Sequence, residues 1–253
     1  MQHDQSILQS FGPKANAYLT SPIHSHGADL GDLAEIVRAT PHPIVLDLGC
    51  GAGHASFAVA PFAQEVVAYD LTRSMLEMVA TTAAQRNLTN VRTQQGSVDA
   101  LPFDGGRFDW VVSRYSAHHW RDLPQALREA RRMLKPGGQV CLIDAAGGPE
   151  PLFDTHLQTL ELLRDPSHVR DYTEQEWLSI FQSTGFRANI LRRWRVYIEF
   201  SPWVARIGTP PDRVAALRSF WSAAPAEVRT YFKLQDDLSI EIDAIIIQAQ
   251  ITH

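Results

Sequence analysis

Only two of the 253 residues are cysteine, Cys50 and Cys141, and they form no CxxC pair. That scarcity excludes a disulfide framework and a thiolate zinc site. No apolar run approaches the roughly 18 residues that a membrane-spanning helix needs. The opening MQHDQSILQS carries acid and amide groups where a secretion signal has an apolar stretch. Basic charge is also short. Lys and Arg number 23 against 28 Asp and Glu, a formal net charge of -5, which is the wrong sign for non-specific nucleic-acid binding. No internal repeat or low-complexity segment is present. The expectation is a cytoplasmic chain with no nucleic-acid and no membrane partner; nothing in the sequence fixes its oligomeric state.

What is present suits one large domain over residues 1–253. The chain is 45% hydrophobic and 20% charged, enough apolar material for a sizeable core. Residues 28–145 alternate helical and extended patterns. ADLGDLAEIVRA has apolar residues at helical spacing, IVLDL is a short buried strand, ASFAVAPF a short helix and EVVAYD a strand. TRSMLEMVATTAAQRN is predicted as a helix capped by Thr72. VRTQQG and RFDWVVSRY are strands, LPQALREARRMLKPGG a helix ending at its glycines, and QVCLID a strand. Such alternation implies right-handed βαβ crossovers and a mostly parallel sheet covered on both faces. After Asp144 the rhythm changes. Helices are expected near 152–164 and 173–184, then a long strand RANILRRWRVYIEF. Helix follows over 203–234, split near Pro225, and then a final β-branched strand IDAIIIQAQI. The 203–234 insertion is expected to act as a helical lid, with residues 1–27 as a second cover. Arg128, Arg131, Arg132 and Lys135 are expected to complement the negative end of their helix. Arg192, Arg193 and Arg195 are expected on a solvated strand face.

The informative stretch is PIVLDLGCGAGHAS, Pro43 to Ser56. A strand ends in Asp47, and Gly49, Gly51 and Gly53 follow at alternate positions. A phosphate-binding P-loop needs GxxxxGK[ST], and no lysine is here. A dinucleotide GxGxxG fails as well: counted from Gly49 the third glycine falls on His54, and from Gly51 on Ser56. Downstream, Asp70 stands at the tip of the second strand, where a carboxylate accepts both hydroxyls of a ribose. That position marks a nucleoside without saying which one.

These residues resemble the class I S-adenosylmethionine-dependent methyltransferases. VLDLGCGAGHAS is similar to their first motif and VVAYDLTRSML to their second-strand motif. LPFDGGRFDWVVSRYSAHHW is similar to their fourth-strand region, RRMLKPGGQVCLID to their fifth-strand motif, and YTEQEWLSIFQSTGF to a helix common after it. The resemblance covers about residues 40–190. It is nearest to the small-molecule branch related to ubiquinone and menaquinone biosynthesis methyltransferases. It implies a Rossmann-like α/β fold with a seven-stranded, mostly parallel sheet, helices on both faces and a helical lid. It also implies S-adenosylmethionine as cofactor and a small-molecule acceptor.

The resemblance implies roles for particular residues. Gly49, Cys50 and Gly51 pass close to the cofactor's amino-acid tail, and Asp47 acts near its amino group. Asp70 holds the ribose, Leu71 and Met75 surround the adenine, and Ser97 and Val98 lie at its edge. Ser113 or Arg114 borders the methionine end, and Tyr18 closes over its carboxylate. One departure stands out. Relatives often carry Gly-Asp-Ala after the third strand, whereas this chain reads Gly96-Ser97-Val98-Asp99. Adenine is then held by backbone groups or by Asp99. In SRYSAHHW, His119 or His118 is a candidate general base, Arg114 a candidate clamp for a substrate carboxylate, and Trp120 a rim residue. No metal ligands are assigned, since His24 and His26 lack a third partner nearby. Two rival functions remain open from the sequence: a cofactor-binding protein without turnover, and a nicotinamide-dependent oxidoreductase.

Overall fold

The structure is a computed structural model that describes residues 3–14, 18–19 and 27–252. His24 and His26 lie outside the described residues. Seven strands form one sheet: β1 (Ile44–Leu48), β2 (Glu65–Asp70), β3 (Val91–Gln95), β4 (Phe108–Arg114), β5 (Leu134–Ala145), β6 (Phe186–Ile198) and β7 (Ile240–Ile251). Their order is β3-β2-β1-β4-β5-β7-β6. The first five run parallel, and β7 inserts antiparallel between β5 and β6. The seven-stranded, mostly parallel Rossmann-like fold expected from the motifs is therefore the observed one.

Alternation along the strands builds two cores. In β1, Val45 joins one apolar cluster with Val66, Trp110 and Ile143, while Leu46 and Leu48 join the other with Tyr69, Phe108 and Trp177. Successive side chains of a strand leave opposite faces, so both sides of the sheet need cover. The helices Ala28–Arg38, His54–Val59 and Arg73–Gln85, with Leu123–Met133 and Glu174–Ser183, supply it. The last of these begins with a capping box. Thr173 accepts from the Glu176 backbone, and Glu176 in turn accepts from the Thr173 backbone.

β1 is the switch point. It is flanked by β2 on one side and by β4 on the other, with Asp47 level with Ala68 and Val112. Crossovers leave it in opposite directions, so a cleft opens beyond the carboxyl ends of these strands.

The sequence expectations need adjusting at four places. The helix before β5 stops at Met133, and β5 starts at Leu134 and takes in Pro136-Gly137-Gly138. Proline lacks the N–H that a helix uses and turns the residue before it away from helical geometry. The predicted lid is three helices, Phe200–Ile207, Pro211–Ser222 and Ala226–Tyr231. The extra break falls at Gly208, which caps the first of them with a left-handed φ of 75°.

The basic cluster does more than complement its helix end, in whose last turn Arg131 and Arg132 stand. Arg132 donates to the Leu101 and Phe103 carbonyls, Arg131 to Gly185, and Lys135 pairs with Asp109. The arginine run of β6 is not a bare solvated face either. Arg192, Arg193 and Arg195 meet Asp32, Glu174 and Asp243.

Candidate active site

The cleft above β1, β2 and β4 offers about 1070 Å³ of space, counting the part open to solvent. Its floor is the glycine turn. Gly49 and Gly51 have φ of 64° and 51°, a left-handed backbone that side chains disfavour. A Cβ at Gly49 would lie 1.9 Å from Ser116 Oγ, so the turn and the loop after β4 touch there. A Cβ at Gly51 would meet nothing within 4 Å, because that position faces the open cleft.

Asp70 is pinned from two sides. The Gly51 N–H donates to its Oδ2 at 2.9 Å and the Thr72 N–H to its Oδ1 at 2.7 Å. Thr72 starts the helix Arg73–Gln85 as predicted, but its hydroxyl makes no cap bond; the Asp70 carboxylate takes its N–H instead. Burial raises the Asp70 pKa despite these donors. Each carboxylate oxygen keeps a lone pair for a ligand hydroxyl.

Asp47 is fully buried at the end of β1 and lines the cleft. Ser56 Oγ donates to its Oδ2 at 2.6 Å, while Oδ1 has no partner. Burial pushes its pKa up to about 7. A buried carboxylate oxygen without a donor is costly; what this one lacks is a cation or an N–H.

On the adenine side expected for the cofactor, Leu71, Met75, Ser97, Val98 and Asp99 line the cleft. The Ser97 carbonyl accepts from the Tyr69 hydroxyl at 3.0 Å, and Ser97 Oγ accepts from the Asp99 N–H at 3.3 Å. Asp99 itself pairs with Arg121 at 2.8 Å.

The opposite wall carries the 3₁₀ turn Ala117–His119. His119 lines the cleft with Trp120 and Tyr115. The His119 Nδ1 lies 3.1 Å from the Ser167 carbonyl. A carbonyl only accepts, so Nδ1 carries the proton and Nε2 is free of one. Burial, reinforced by the neighbouring His118, holds the His119 pKa well below its usual value. Ser167 is fixed in turn by Asp165, whose Oδ1 accepts from the Ser167 N–H at 2.8 Å and from its hydroxyl at 2.7 Å. Asp165 Oδ2 has no hydrogen-bond partner and lies 4.0 Å from His119 Nδ1.

The cover is the N-terminal helix His3–Phe11. Its His3, Asp4, Ile7 and Phe11 line the cleft, and Phe11 meets the His119 ring edge-on at 4.9 Å between centroids. Tyr18 lines the cleft too and hydrogen-bonds Arg164 behind it. No described residue beyond Arg121 lines the cleft, so the helices 200–231 do not close over it. They pack with helix Pro151–Arg164 around a separate core of Trp203, Leu217, Trp221 and Phe232.

Most sequence-predicted residues meet in this cleft: Tyr18, Asp47, Gly49, Cys50, Gly51, Asp70, Leu71, Met75, Ser97, Val98, Arg114 and His119. Ser113 and His118 do not line it. Ser113 is buried, and its hydroxyl donates to the Leu48 carbonyl at 2.6 Å, tying β4 to β1. His118 points to Asp144, Nδ1 to Oδ1 at 2.6 Å. Burial opposes its charge, yet Asp144 and Asp171 outweigh burial and raise its pKa to about 9. Arg114 lines the cleft with its fork already closed on Asp29, at 2.5 and 3.2 Å. Burial raises the Asp171 pKa to about 8. Sequence reading missed the wall and roof residues Ile7, Ser116 and Arg121 and the supports Asp165 and Ser167. Of these only Ser116 and Arg121 carried a signal, by standing in and next to SRYSAHHW.

Comparisons with known proteins agree with this geometry. Residues 46–142 match the family described as methyltransferase domain. The chain is 45% identical to the uncharacterized protein YafE of Escherichia coli, over 79% of this chain and 97% of that protein. It is 34% identical to the uncharacterized methyltransferase YcgJ of Bacillus subtilis, over 94% and 96% of the two. The crystal structure of YcgJ superposes with a TM-score of 0.86, covering 90% of this chain and 100% of that one. A demethylmenaquinone methyltransferase of Lactococcus lactis is 30% identical over 53% of this chain and 56% of its own length. No helix among the described residues is long and apolar enough to cross a membrane. The chain belongs to the class I S-adenosylmethionine-dependent methyltransferases.

Proposed function

We propose that this methyltransferase acts on a small, largely apolar acceptor with an acidic proton, of the phenol, enol or quinol type, and that His119 removes that proton. The observation that carries the reading is the His119 ring. It lines the cleft with Nδ1 committed to the Ser167 carbonyl, which leaves Nε2 unprotonated. A histidine held neutral by burial is a weak base, and a weak base suits an acceptor that gives up its proton readily. Ile7, Phe11, Tyr18, Tyr115 and Trp120 around it offer an apolar and aromatic seat. His118 is the weaker candidate, because Asp144 keeps it protonated at neutral pH. The demethylmenaquinone methyltransferases, similar over half of this chain, act by name on a quinone-type molecule.

Bound S-adenosylmethionine supplies an electrophilic methyl group on a sulfonium. The chain's residues do the rest by binding, alignment and exclusion of water. Asp70 accepts the ribose hydroxyls while Gly51 and Thr72 hold its carboxylate in place. Asp47 Oδ1 takes the ammonium of the methionine part, which would fill the one vacancy at that buried carboxylate. Gly49, Cys50 and Gly51 let the chain approach the amino-acid tail. Leu71, Met75, Ser97 and Val98 form the adenine seat, with Asp99 held by Arg121 at its edge. Arg114, locked to Asp29, stiffens the strand tip and does not clamp an acceptor carboxylate.

The reading is tested by offering methyl-labelled cofactor to separate panels of hydroxylated aromatics and quinols, primary amines, RNA and protein. Label in the first panel alone is the expected result. Label confined to amines, RNA or protein would overturn the acceptor class.

A further inference from the structure

Behind the cleft wall, three side chains from distant segments converge: His118 after β4, Asp144 in β5, and Asp171 before helix Glu174–Ser183. One ligand atom from each can be chosen so that no two are more than 4.8 Å apart. Asp144 and Asp171 are each 1% exposed. We propose that these three residues form a binding site for one divalent transition-metal cation of the Zn²⁺ or Mn²⁺ type.

The independent observation is Asp171. Its Oδ2 is buried and accepts no hydrogen bond. The basic residues nearby are engaged elsewhere. Arg170 spans Asp154 and Glu176, and Arg164 lies by Glu161 and donates to the Trp203 carbonyl. Two buried carboxylates therefore share one imidazole. A divalent cation that displaces the protons of this set leaves a neutral imidazole, two carboxylates and no net charge, which suits a low-dielectric site. An imidazole nitrogen with two carboxylate oxygens is a donor set for zinc or manganese rather than for a thiophilic metal.

The spacing is near what such an ion needs. Tetrahedral bonds of about 2.0–2.2 Å place donors roughly 3.3–3.6 Å apart. From a spacing within 4.8 Å, Asp171 moves inward by up to about 1 Å, a rotamer-scale adjustment. The His118–Asp144 pair, at 2.6 Å, opens by about 0.7–1 Å. Entry is by way of His118, whose side chain is 17% exposed against 2% for Asp144. The cation would fasten the turn bearing His119 to the segment 165–171, which also supplies the Ser167 carbonyl that orients the His119 ring. The backbone already links them, since Val169 and Arg170 N–H both donate to the His118 carbonyl.

The test strips the full chain with a chelator and offers Zn²⁺, Mn²⁺ and Mg²⁺ separately. Retained metal is counted after gel filtration, and melting is followed alongside. The expected result is one Zn²⁺ or Mn²⁺ per chain and a melting temperature that rises with its concentration. Asp171→Asn and Asp144→Asn should each weaken retention at least roughly tenfold and remove the rise in melting temperature. Co²⁺ loaded into the parent should give the visible spectrum of histidine and carboxylate ligation, a readout that requires no folded variant. A stripped parent that retains no Zn²⁺ or Mn²⁺ overturns the site. So does retention unchanged in both folded variants, or a cobalt spectrum of the free aqua ion.

Discussion

The two walls of the cleft are built in different ways. On the wall formed by β1, β2 and β3, polar side chains are held by partners within the same motifs. Asp70 leans on Gly51 and Thr72, Ser97 on Asp99, and Asp47 on Ser56 nine residues on. On the wall formed after β4, both histidines and the support Asp165 are held by residues far along the chain. His118 bonds Asp144 across 26 residues, His119 bonds Ser167 across 48, and Ser10 bonds Asp165 across 155. The first wall is assembled from turns at the ends of its own strands. The second brings together an N-terminal helix, the turn after β4, the end of β5 and the segment 165–171. Fold and cofactor are thus separable from acceptor chemistry, and substitutions on the two walls should split the same way.

The largest effect is expected on the first wall, at Gly51. A valine there must adopt a left-handed φ, at a cost of about 1–2 kcal/mol, and its side chain fills the cleft where a Cβ meets nothing now. Gly51→Val should weaken S-adenosylmethionine binding by roughly a thousandfold or more, measured by calorimetry, with the far-ultraviolet circular dichroism of the parent. Parent-like affinity in a folded variant would remove the glycine turn from the site.

Next comes the second wall. His119→Ala should lower turnover by about 10²–10⁴-fold, the range for a lost general base, and leave cofactor affinity within a few-fold. Single-turnover transfer from labelled cofactor, with affinity measured separately, checks both halves. Because burial and His118 keep His119 neutral, the parent's turnover at saturating cofactor should not fall between pH 8 and pH 6. An ordinary histidine base would lose activity through its pKa near 6.5. A drop of cofactor affinity equal to the drop in turnover would merge the two walls and break the comparison.

The first wall was almost wholly legible in the sequence, and the second only in outline. Strand patterning and glycine spacing pointed to Gly51 and Asp70, while Asp47 and Met75 were reached through the family resemblance, whose motifs run in order along this wall. His119 was visible as chemistry, but its tautomer was not, because that depends on a carbonyl 48 residues away. Arg114 shows the same limit. A free fork and a fork closed on Asp29 read identically in one dimension, and the contact spans 85 residues. Ser113 shows another: strand alternation did not reveal that its hydroxyl crosses to the Leu48 carbonyl. The lid was misassigned for a packing reason. Helices 200–231 have apolar faces that suit a cover, but Trp203, Leu217 and Trp221 bury them against helix 151–164 and the ends of β6 and β7. The cover fell to the short N-terminal helix, whose Ile7 and Phe11 turn to the cleft.

Returning to the first wall, Asp70→Ala should cost about 2–4 kcal/mol of cofactor binding, from two charge-assisted bonds that are not fully additive. Asp70→Asn should cost less. It keeps one acceptor, but its amide N–H₂ must face either the Gly51 or the Thr72 N–H, both of which now donate to the carboxylate. Calorimetry on both variants orders them. An Asp70→Asn variant weaker than Asp70→Ala would mean that the turn, rather than the ribose, is what the carboxylate serves.

The smallest effect on binding, and the one of opposite sign for stability, is expected at Asp47. Burial raises its pKa from 3.8 to about 7, so the folded chain holds this proton more tightly than the unfolded chain. Folding therefore takes up a proton between those values, and stability falls as pH rises from about 4 to about 7 and stays low above that. Asp47→Asn removes the dependence, while an amide oxygen can still accept the Ser56 hydroxyl. Without cofactor the variant should be more stable than the parent at pH 8, by about 1–4 kcal/mol, and the gap should close towards pH 4. Binding should move the other way. A cofactor ammonium beside Oδ1 favours the charged carboxylate, so the parent's affinity should tighten as pH rises through 7. The variant should bind about tenfold more weakly at pH 8 and show no such trend. Denaturant melts across pH and calorimetry at pH 6 and 8 measure the pair. A variant less stable than the parent at pH 8 would mean that the carboxylate already has its counter-charge within the fold, and Asp47 would then pass from the cofactor's side of the comparison to the scaffold's.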